Sequence, residues 1–263
     1  MSDYVIVKSP VANIYKSHTF TSELVTQALI WEELIVLDKK NNWYKIQQQD
    51  GYIGWTHKFY IINSDIYDSN KSLQNKNNWY WIKDRLTSIR LMDSSELLIS
   101  FGSLIPCFDS GESFYTIFPN GEKGSLNKKS VLQYNANHSL ENIVTYSMKL
   151  IGTPYLWGGK SSYGYDCSGL IQIIYNIAGY KFPRDCSMQI KSNLLKEISK
   201  DYIKKGDLVY FSNEDSINHV GVFINENKFL HSSGHITINS INKNDVDFNN
   251  KLYNMLHGYY SIN

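Results

Sequence analysis

Apolar and polar positions alternate in one rhythm up to about residue 136 and in another beyond it. In the first part, apolar residues come in short runs broken by polar turns. "LIVLDKKNNWYKI" followed by "DGYIGW" at 50–55 recurs as "LIPCFDSGESFYTI" followed by "NGEKGS" at 120–125, an offset of 70 or 71 residues. Each copy has an apolar run, a polar turn, an aromatic pair (Trp43-Tyr44, then Phe114-Tyr115), a Gly-containing turn and a last strand. That is the pattern of small sheet units rather than of helices. It predicts two small β-barrels, over 1–66 and 71–135, with the polar, turn-rich "YDSNKSLQNKNN" at 67–78 making the linker between them.

From 136 onward the spacing turns helical and then strand-like. Ser139 can cap a helix whose apolar positions Ile143, Val144, Met148, Leu150 and Ile151 roughly follow the 3.6 period, until Gly152 and Pro154 stop it. A second helix is predicted from about 167 to 178, ending at Gly179, and a third over about 187–197. Strand candidates follow: "GDLVYF" (206–211), "HVGVFI" (219–224), "KFLHSS" (228–233), "ITINSI" (236–241) and "LHGYYSI" (256–262). Helices first and antiparallel strands afterwards predict an α+β domain over 136–263, with helices packed on a sheet.

Composition narrows the function more than the fold. The chain has 263 residues with 42% hydrophobic content, enough for one large domain or two to three small ones, and its 20 tyrosines favour β-rich units. A net charge of +1 with both signs interspersed offers no footprint for nucleic acid or an anionic membrane. Apolar runs such as "LIQII" fall far short of the roughly 18 to 20 residues of a membrane span. The start, "MSDYVIVKSPVANIYKS", lacks a basic, apolar, small-residue export signal. A cytoplasmic location is therefore expected, unless Met1 replaces a cleaved leader. Cys107, Cys167 and Cys186 are an odd number at irregular spacing, which fits neither a disulfide framework nor a metal site. No metal or cofactor is expected.

Cys167 stands where a glycine-rich turn becomes an apolar helix. A thiol there lies beside unpaired backbone N–H groups and the positive end of the helix dipole, which favours thiolate and could later hold an oxyanion. Gly158, Gly159, Gly164 and Gly169 leave room for another backbone to approach. Taken alone, the stretch still fits a packing cysteine better than a nucleophile.

A nucleophile requires a base, and seven histidines are present: His18, His57, His138, His219, His231, His235 and His257. His219 opens a strand after the polar turn "NEDSIN", and His231 lies on the next strand. A three-residue loop at 225–227 would pair Ile224 with Lys228 and set His231 opposite Gly221 and His219 opposite Ser233. Both rings would then leave one face as diagonal neighbours. A two-residue loop would put them on opposite faces.

"DCSGL" (166–170), "GDLVYF" (206–211), "NHVGVFI" (218–224) and "FLHSSG" (229–234), in that order, resemble the NlpC/P60 family of cysteine peptidases. The resemblance covers about 136–263. It implies a papain-like α+β catalytic domain in which Cys167 is the nucleophile, His219 the general base and acid, and His231 the third residue, orienting the imidazole as a neutral ring. The N-terminal repeats look like bacterial SH3 domains. Two SH3-like barrels ahead of this domain resemble the γ-D-glutamyl-L-diamino acid endopeptidases, which implies a muropeptide substrate with a free N-terminal L-Ala, diaminopimelate or Lys in third position, and a role in cell-wall recycling.

By the same resemblance Tyr155 and Trp157 of "PYLWGG" line the cleft, and Arg184 and Asp185 of "PRDCSMQ" stand where the subfamily carries Arg-Asp-Ser. Asp166 and Glu32 become candidates for a free peptide amine, Tyr52 contacts substrate, and Ser168 adds a hydroxyl. Two positions depart from the pattern: Cys186 replaces Ser, and Trp31 precedes Glu32 where Gly is usual, putting bulk near the amine site. Blander readings stand beside these. Tyr52 and Trp55 suit barrel core equally well, Arg184 and Asp185 could form an exposed ion pair, and Cys107 suits a small buried hydrophobe. The alternatives to the recycling enzyme are a secreted hydrolase of intact peptidoglycan and a non-catalytic wall-binding protein.

Overall fold

A computed structural model describes residues 4–213 and 216–263. Met1 and the middle of the expected "NEDSIN" turn, Glu214 and Asp215, lie outside the described residues. The chain divides into two compact units, Met1–Ala136 and Asn137–Asn263.

The N-terminal unit is built of antiparallel strands. Its first half forms a seven-stranded sheet in the spatial order Leu24–Leu29, Val11–Tyr15, Ile53–His57, Trp43–Gln47, Glu33–Lys40, Tyr4–Val7, Ile61–Asn63. Its second half forms a five-stranded and a three-stranded sheet, and two local features recur there at the offset of the sequence repeat. A Cβ on Gly54 would collide with Ile14 and the Tyr15 carbonyl, and one on Gly124, 70 positions later, with Ile89 and the Arg90 carbonyl. Each glycine lets a neighbouring strand cross closely. Three residues after each of them, a side chain caps a short 3-10 turn: His57 Nδ1 accepts from Phe59 N at 3.3 Å, and Asn127 Oδ1 from Lys129 N at 2.8 Å.

The stretch 67–78 is not the open linker that its polarity predicts. Short helices span Asp65–Ser69 and Lys71–Gln74, Leu73 is fully buried, and its carbonyl accepts from Trp79 Nε1 at 2.7 Å. Single apolar residues in a polar run anchor it, here in a core shared by both halves through Ile6, Trp31, Trp79 and Ile105. Trp31 stands at φ +70, in the left-handed region where glycine is favoured. Its bulk does not crowd Glu32 as the sequence suggests. The ring turns into this core, edge-on to Trp79 at 5.5 Å, with Nε1 donating to the Ile117 carbonyl at 3.2 Å.

In the C-terminal unit Ser139 caps the helix Leu140–Ser147, accepting from Asn142 N, and Gly152 follows at φ +83. The helix Cys167–Ile177 ends before Gly179 at φ +92 and is buried on nearly every side, with Leu170, Ile171 and Ile174 wholly inaccessible. Burial of each such side chain stabilises by roughly 1.5–3 kcal/mol. This helix packs on strands Ser216–Phe223 and Lys228–Ser233, in the middle of a six-stranded antiparallel sheet ordered Leu195–Ile198, Leu256–Ile262, Leu208–Asn213, Ser216–Phe223, Lys228–Ser233, His235–Ser240.

The helix expected over 187–197 is absent. Four residues, Cys186–Gln189, make one turn, and Leu195–Ile198 pairs instead with the C-terminal strand, Leu195 opposite Ile262. An unpaired strand edge competes here with weak helical periodicity and prevails.

Candidate active site

The helix that carries Cys167 begins under tight local control. Asp166 is its N-cap, with Oδ1 accepting from Gly169 N at 2.7 Å, while Oδ2 accepts from Gly158 N at 3.0 Å. Gly169 has no room for a Cβ because the Gly159 carbonyl lies against it, and Gly164 is pressed on Leu156 in the same way. The glycine cluster therefore lets the chain's own 156–165 segment seat on the helix start. That is a nearer cause than clearance for a substrate backbone.

Arg184 closes this corner. It is 1% exposed and grips Asp166 with both terminal nitrogens, Nη1 to Oδ1 at 2.9 Å and Nη2 to Oδ2 at 2.5 Å, while Nη1 also donates to Ser168 Oγ at 3.0 Å. The reading of an exposed Arg184–Asp185 pair is thereby corrected: the partner is Asp166, and the pair is buried. Asp185, half-buried, stands at the N-terminus of the turn Cys186–Gln189. Gln189 Nε2 ties that turn back to the helix by donating to the Ser168 carbonyl at 3.0 Å.

Cys167 is buried with its Sγ 3.7 Å from Cys186 Sγ and 3.9 Å from the Asn218 carbonyl. Its thiol is pulled down to about 5, first by a hydrogen bond from Cys186, then by a hydrogen bond and the charge of His219, against the opposing cost of burial. Cys186 is pushed the other way, by the same hydrogen bond to Cys167 and by burial. It thus stays a thiol and donates, the role a serine hydroxyl could also fill. Cys107, in the N-terminal unit, is pushed up to about 12 by burial alone and is inert packing.

The imidazoles arrive from the sheet in the register that a three-residue hairpin loop predicts: His231 pairs with Gly221, and Ile224 N donates to the Lys228 carbonyl at 2.8 Å. Gly221 is required, since a Cβ there would press on the Phe229 ring and on His231 Cβ. The pairing of Leu208–Asn213 with Ser216–Phe223 slips so that Phe211 opposes His219 and Ser212 opposes Ile217. Asn218 is the extra residue of a bulge, a device that re-aims the next side chain. His219 Nε2 lies 2.8 Å from His231 Nδ1, with the rings at right angles. Burial above all, then the charge of His219, lowers the His231 pKa to about 4, so this ring is neutral near pH 7. Its Nε2 lies 2.9 Å from Asn239 Oδ1 on the edge strand.

Tyr155 is half-buried beside these groups, and its hydroxyl is raised to about 12 by burial and then by the charges of Cys167, Asp166 and Cys186. Trp157 is 63% exposed. In the N-terminal unit Glu32 is half-buried, accepting from Leu29 N and Gln48 Nε2 at 3.0 Å each, and Tyr52 is half-buried in the turn after Asp50. Among the described residues no group of three His, Cys, Asp or Glu side chains is set to hold a metal ion. Asn239 was missed at the sequence level, although the tight turn at Gly234 pairs His231 with Thr237 and so puts Asn239 on the same face two residues on.

A thiol of lowered pKa at a helix start, facing a hydrogen-bonded pair of imidazoles on the sheet, is an arrangement suited to cysteine peptidase chemistry, and the comparisons with known proteins point to the same class. The NlpC/P60 family matches residues 152–251, and the bacterial dipeptidyl-peptidase Sh3 domain matches residues 14–58. The C-terminal unit is an NlpC/P60 cysteine peptidase domain, and it follows a bacterial SH3 domain. A γ-D-glutamyl-L-lysine dipeptidyl-peptidase of Bacillus cereus is 28% identical over 81% of this chain and 68% of its own length. Dipeptidyl-peptidase 6 of Lysinibacillus sphaericus is 27% identical over 94% and 93%. The crystal structure of an NlpC/P60 family protein from Bacillus cereus has the same fold, with a TM-score of 0.85 over 97% of this chain and 98% of its own at 20% identity.

Proposed function

We propose that this protein hydrolyses the γ-D-glutamyl to L-diamino acid bond of short cell-wall peptides, releasing L-Ala-γ-D-Glu. The observation that carries the reading is the Cys167 thiol, drawn to about 5, beside His219 and His231 in hydrogen-bonded register, in a chain whose relatives over most of its length include γ-D-glutamyl-L-lysine dipeptidyl-peptidases. The Cys167 thiolate attacks the γ-carbonyl carbon, and the oxyanion meets N–H groups of the first helical turn, which no intrahelical carbonyl can reach. His219 then gives its proton to the leaving amine as the C–N bond breaks, leaving a thioester. Water, deprotonated by His219, attacks the thioester, and the C–S bond breaks to regenerate the thiolate.

The finer assignments belong to the same proposal. Residues 71–135 repeat the first barrel as a second SH3-like module, and the catalytic unit is a papain-like α+β domain. Tyr155, Trp157 and Ser168 contact the peptide, with Tyr52 from the first barrel. Asp166 and Glu32 are the carboxylates proposed for a peptide ammonium, and Asp166 is already paired with Arg184. The substrate is a released muropeptide in the cytoplasm, as recycling requires.

Mass spectrometry of products from L-Ala-γ-D-Glu-L-Lys and its diaminopimelate counterpart, each with free and with acetylated N-termini, tests the reading. Cleavage after D-Glu of the free peptides only is expected. Undiminished cleavage by Cys167→Ala would overturn the mechanism, and equal turnover of acetylated peptide would overturn the amine site.

A further inference from the structure

We infer that Asn239 is a positioning residue that sets the tautomer of both active-site histidines. His219, His231 and Asn239 lie on three successive strands, each stepped two residues from a directly paired position: Gly221 pairs with His231, and His231 with Thr237. Side chains so placed form one diagonal across a single face of the sheet.

The direction of every hydrogen bond on this diagonal follows from its far end. Asn239 Nδ2 lies 3.0 Å from the backbone carbonyl of Asp247, which can only accept, so the amide group faces it. Asn239 Oδ1 is thereby turned to His231, and it also accepts from Asn249 Nδ2 at 3.3 Å. An amide oxygen can only accept, so the His231 proton resides on Nε2, 2.9 Å away. In the neutral ring Nδ1 then carries a lone pair, and it accepts from His219 Nε2–H at 2.8 Å. That leaves His219 Nδ1 as the nitrogen that takes the thiol proton and later delivers it. One backbone carbonyl, in the segment that follows the strand of Asn239, thus selects which nitrogen of His219 is the base.

Without Asn239 the His231 ring is free to carry its proton on Nδ1, where it would meet the His219 Nε2–H head-on. The relay then works only when one ring reverses. The charged and titratable groups around His231 are His219 on one neighbouring strand, His235 on the other, and Asp247 beyond Asn239, paired with Lys228 at 2.9 Å.

This inference rests on the peptidase reading only in naming His219 as the base, and it is testable without substrate. In the full chain labelled with ¹⁵N-histidine, long-range ¹H–¹⁵N spectra report each tautomer, and the rate of Cys167 alkylation by iodoacetamide reports the thiolate. The wild type is expected to hold neutral His231 as Nε2–H, with His219 as Nε2–H in Cys167→Ala. Asn239→Leu is expected to move His231 toward Nδ1–H and to slow alkylation at pH 6 by about tenfold, the usual scale for loss of such an orienting group. Asn239→Asp keeps an acceptor: it is expected to restore the Nε2–H tautomer and bring alkylation to within about threefold of wild type, while the His231 titration moves upward beside the new carboxylate. Wild-type tautomers and alkylation in Asn239→Leu would overturn the inference, as would a His231 titration unmoved in Asn239→Asp, the decisive variant if the leucine form does not fold.

Discussion

The two flanks of Cys167 are built on opposite electrostatic plans. On the helix side, Asp166 and Arg184 form a buried ion pair under the first turn, with Asp166 also accepting from Gly158 N and Gly169 N. On the sheet side, His219, His231 and Asn239 form a hydrogen-bonded line, with His231 as a neutral ring at its centre, that ends on a backbone carbonyl. The difference teaches where each device belongs. A buried ion pair fixes geometry because its two charge-assisted hydrogen bonds hold a single mutual orientation. A hydrogen-bonded relay suits the flank where a proton has to move, because its members change protonation or hydrogen-bond order at modest cost.

The comparison breaks most visibly at Arg184. Arg184→Met leaves the Asp166 carboxylate buried without its partner, and a loss of about 3–5 kcal/mol in urea unfolding is expected, since removing one member of a buried pair strands the other. Replacing both at once, as Arg184→Met with Asp166→Asn, should recover part of that loss. An equal or larger loss in the double variant would mean the charges themselves are not what holds the corner.

The sheet flank gives the next largest effect, through pH. The unfolded chain protonates His231 near its ordinary 6.5, whereas the folded ring resists until about 4. The unfolded state therefore binds more protons in that window, so stability falls as pH drops from 6.5 to 4, by about 3 kcal/mol from this ring. Cys167 adds a loss of the same sign, because its depressed thiol regains a proton as pH falls through about 5. Comparing Cys167→Ala with Cys167→Ala/His231→Leu separates the two. The second should show the flatter stability curve over pH 6.5–4, and identical slopes would show that the ring is not held neutral by burial.

Much of this sheet flank was legible in sequence because strand pairing is arithmetic. Once the hairpin loop has three residues, the facing of His219 and His231 follows from a period of two. The helix start was equally legible, from a glycine-rich turn that gives way to an apolar run, although the cap by Asp166 was not. What escaped lay in contacts between distant segments. The Arg184–Asp166 pair spans 18 positions and was masked by an adjacent Asp185, which looked the more natural partner. The helix expected over 187–197 was lost to an edge that only the last strand provides, and the buried Leu73 was hidden in a stretch whose average polarity reads as linker. Averages and periodicities report local preference, while these outcomes were set by a partner far along the chain.

The finest test of the contrast lies where the flanks meet, at the paired sulfurs. Cys186 donates to the Cys167 thiolate, the largest single cause of its low value. Removing one such hydrogen bond, as in Cys186→Ala, should raise the Cys167 pKa by roughly one unit, about 1.4 kcal/mol. The acid limb of iodoacetamide alkylation would then move to higher pH with the maximal rate little changed. Cys186→Ser keeps a donor and should leave the limb near its wild-type position. If serine and alanine shift the limb equally, the donor role of Cys186 fails, and the low value belongs to His219 alone, which would place control of the nucleophile wholly on the sheet flank.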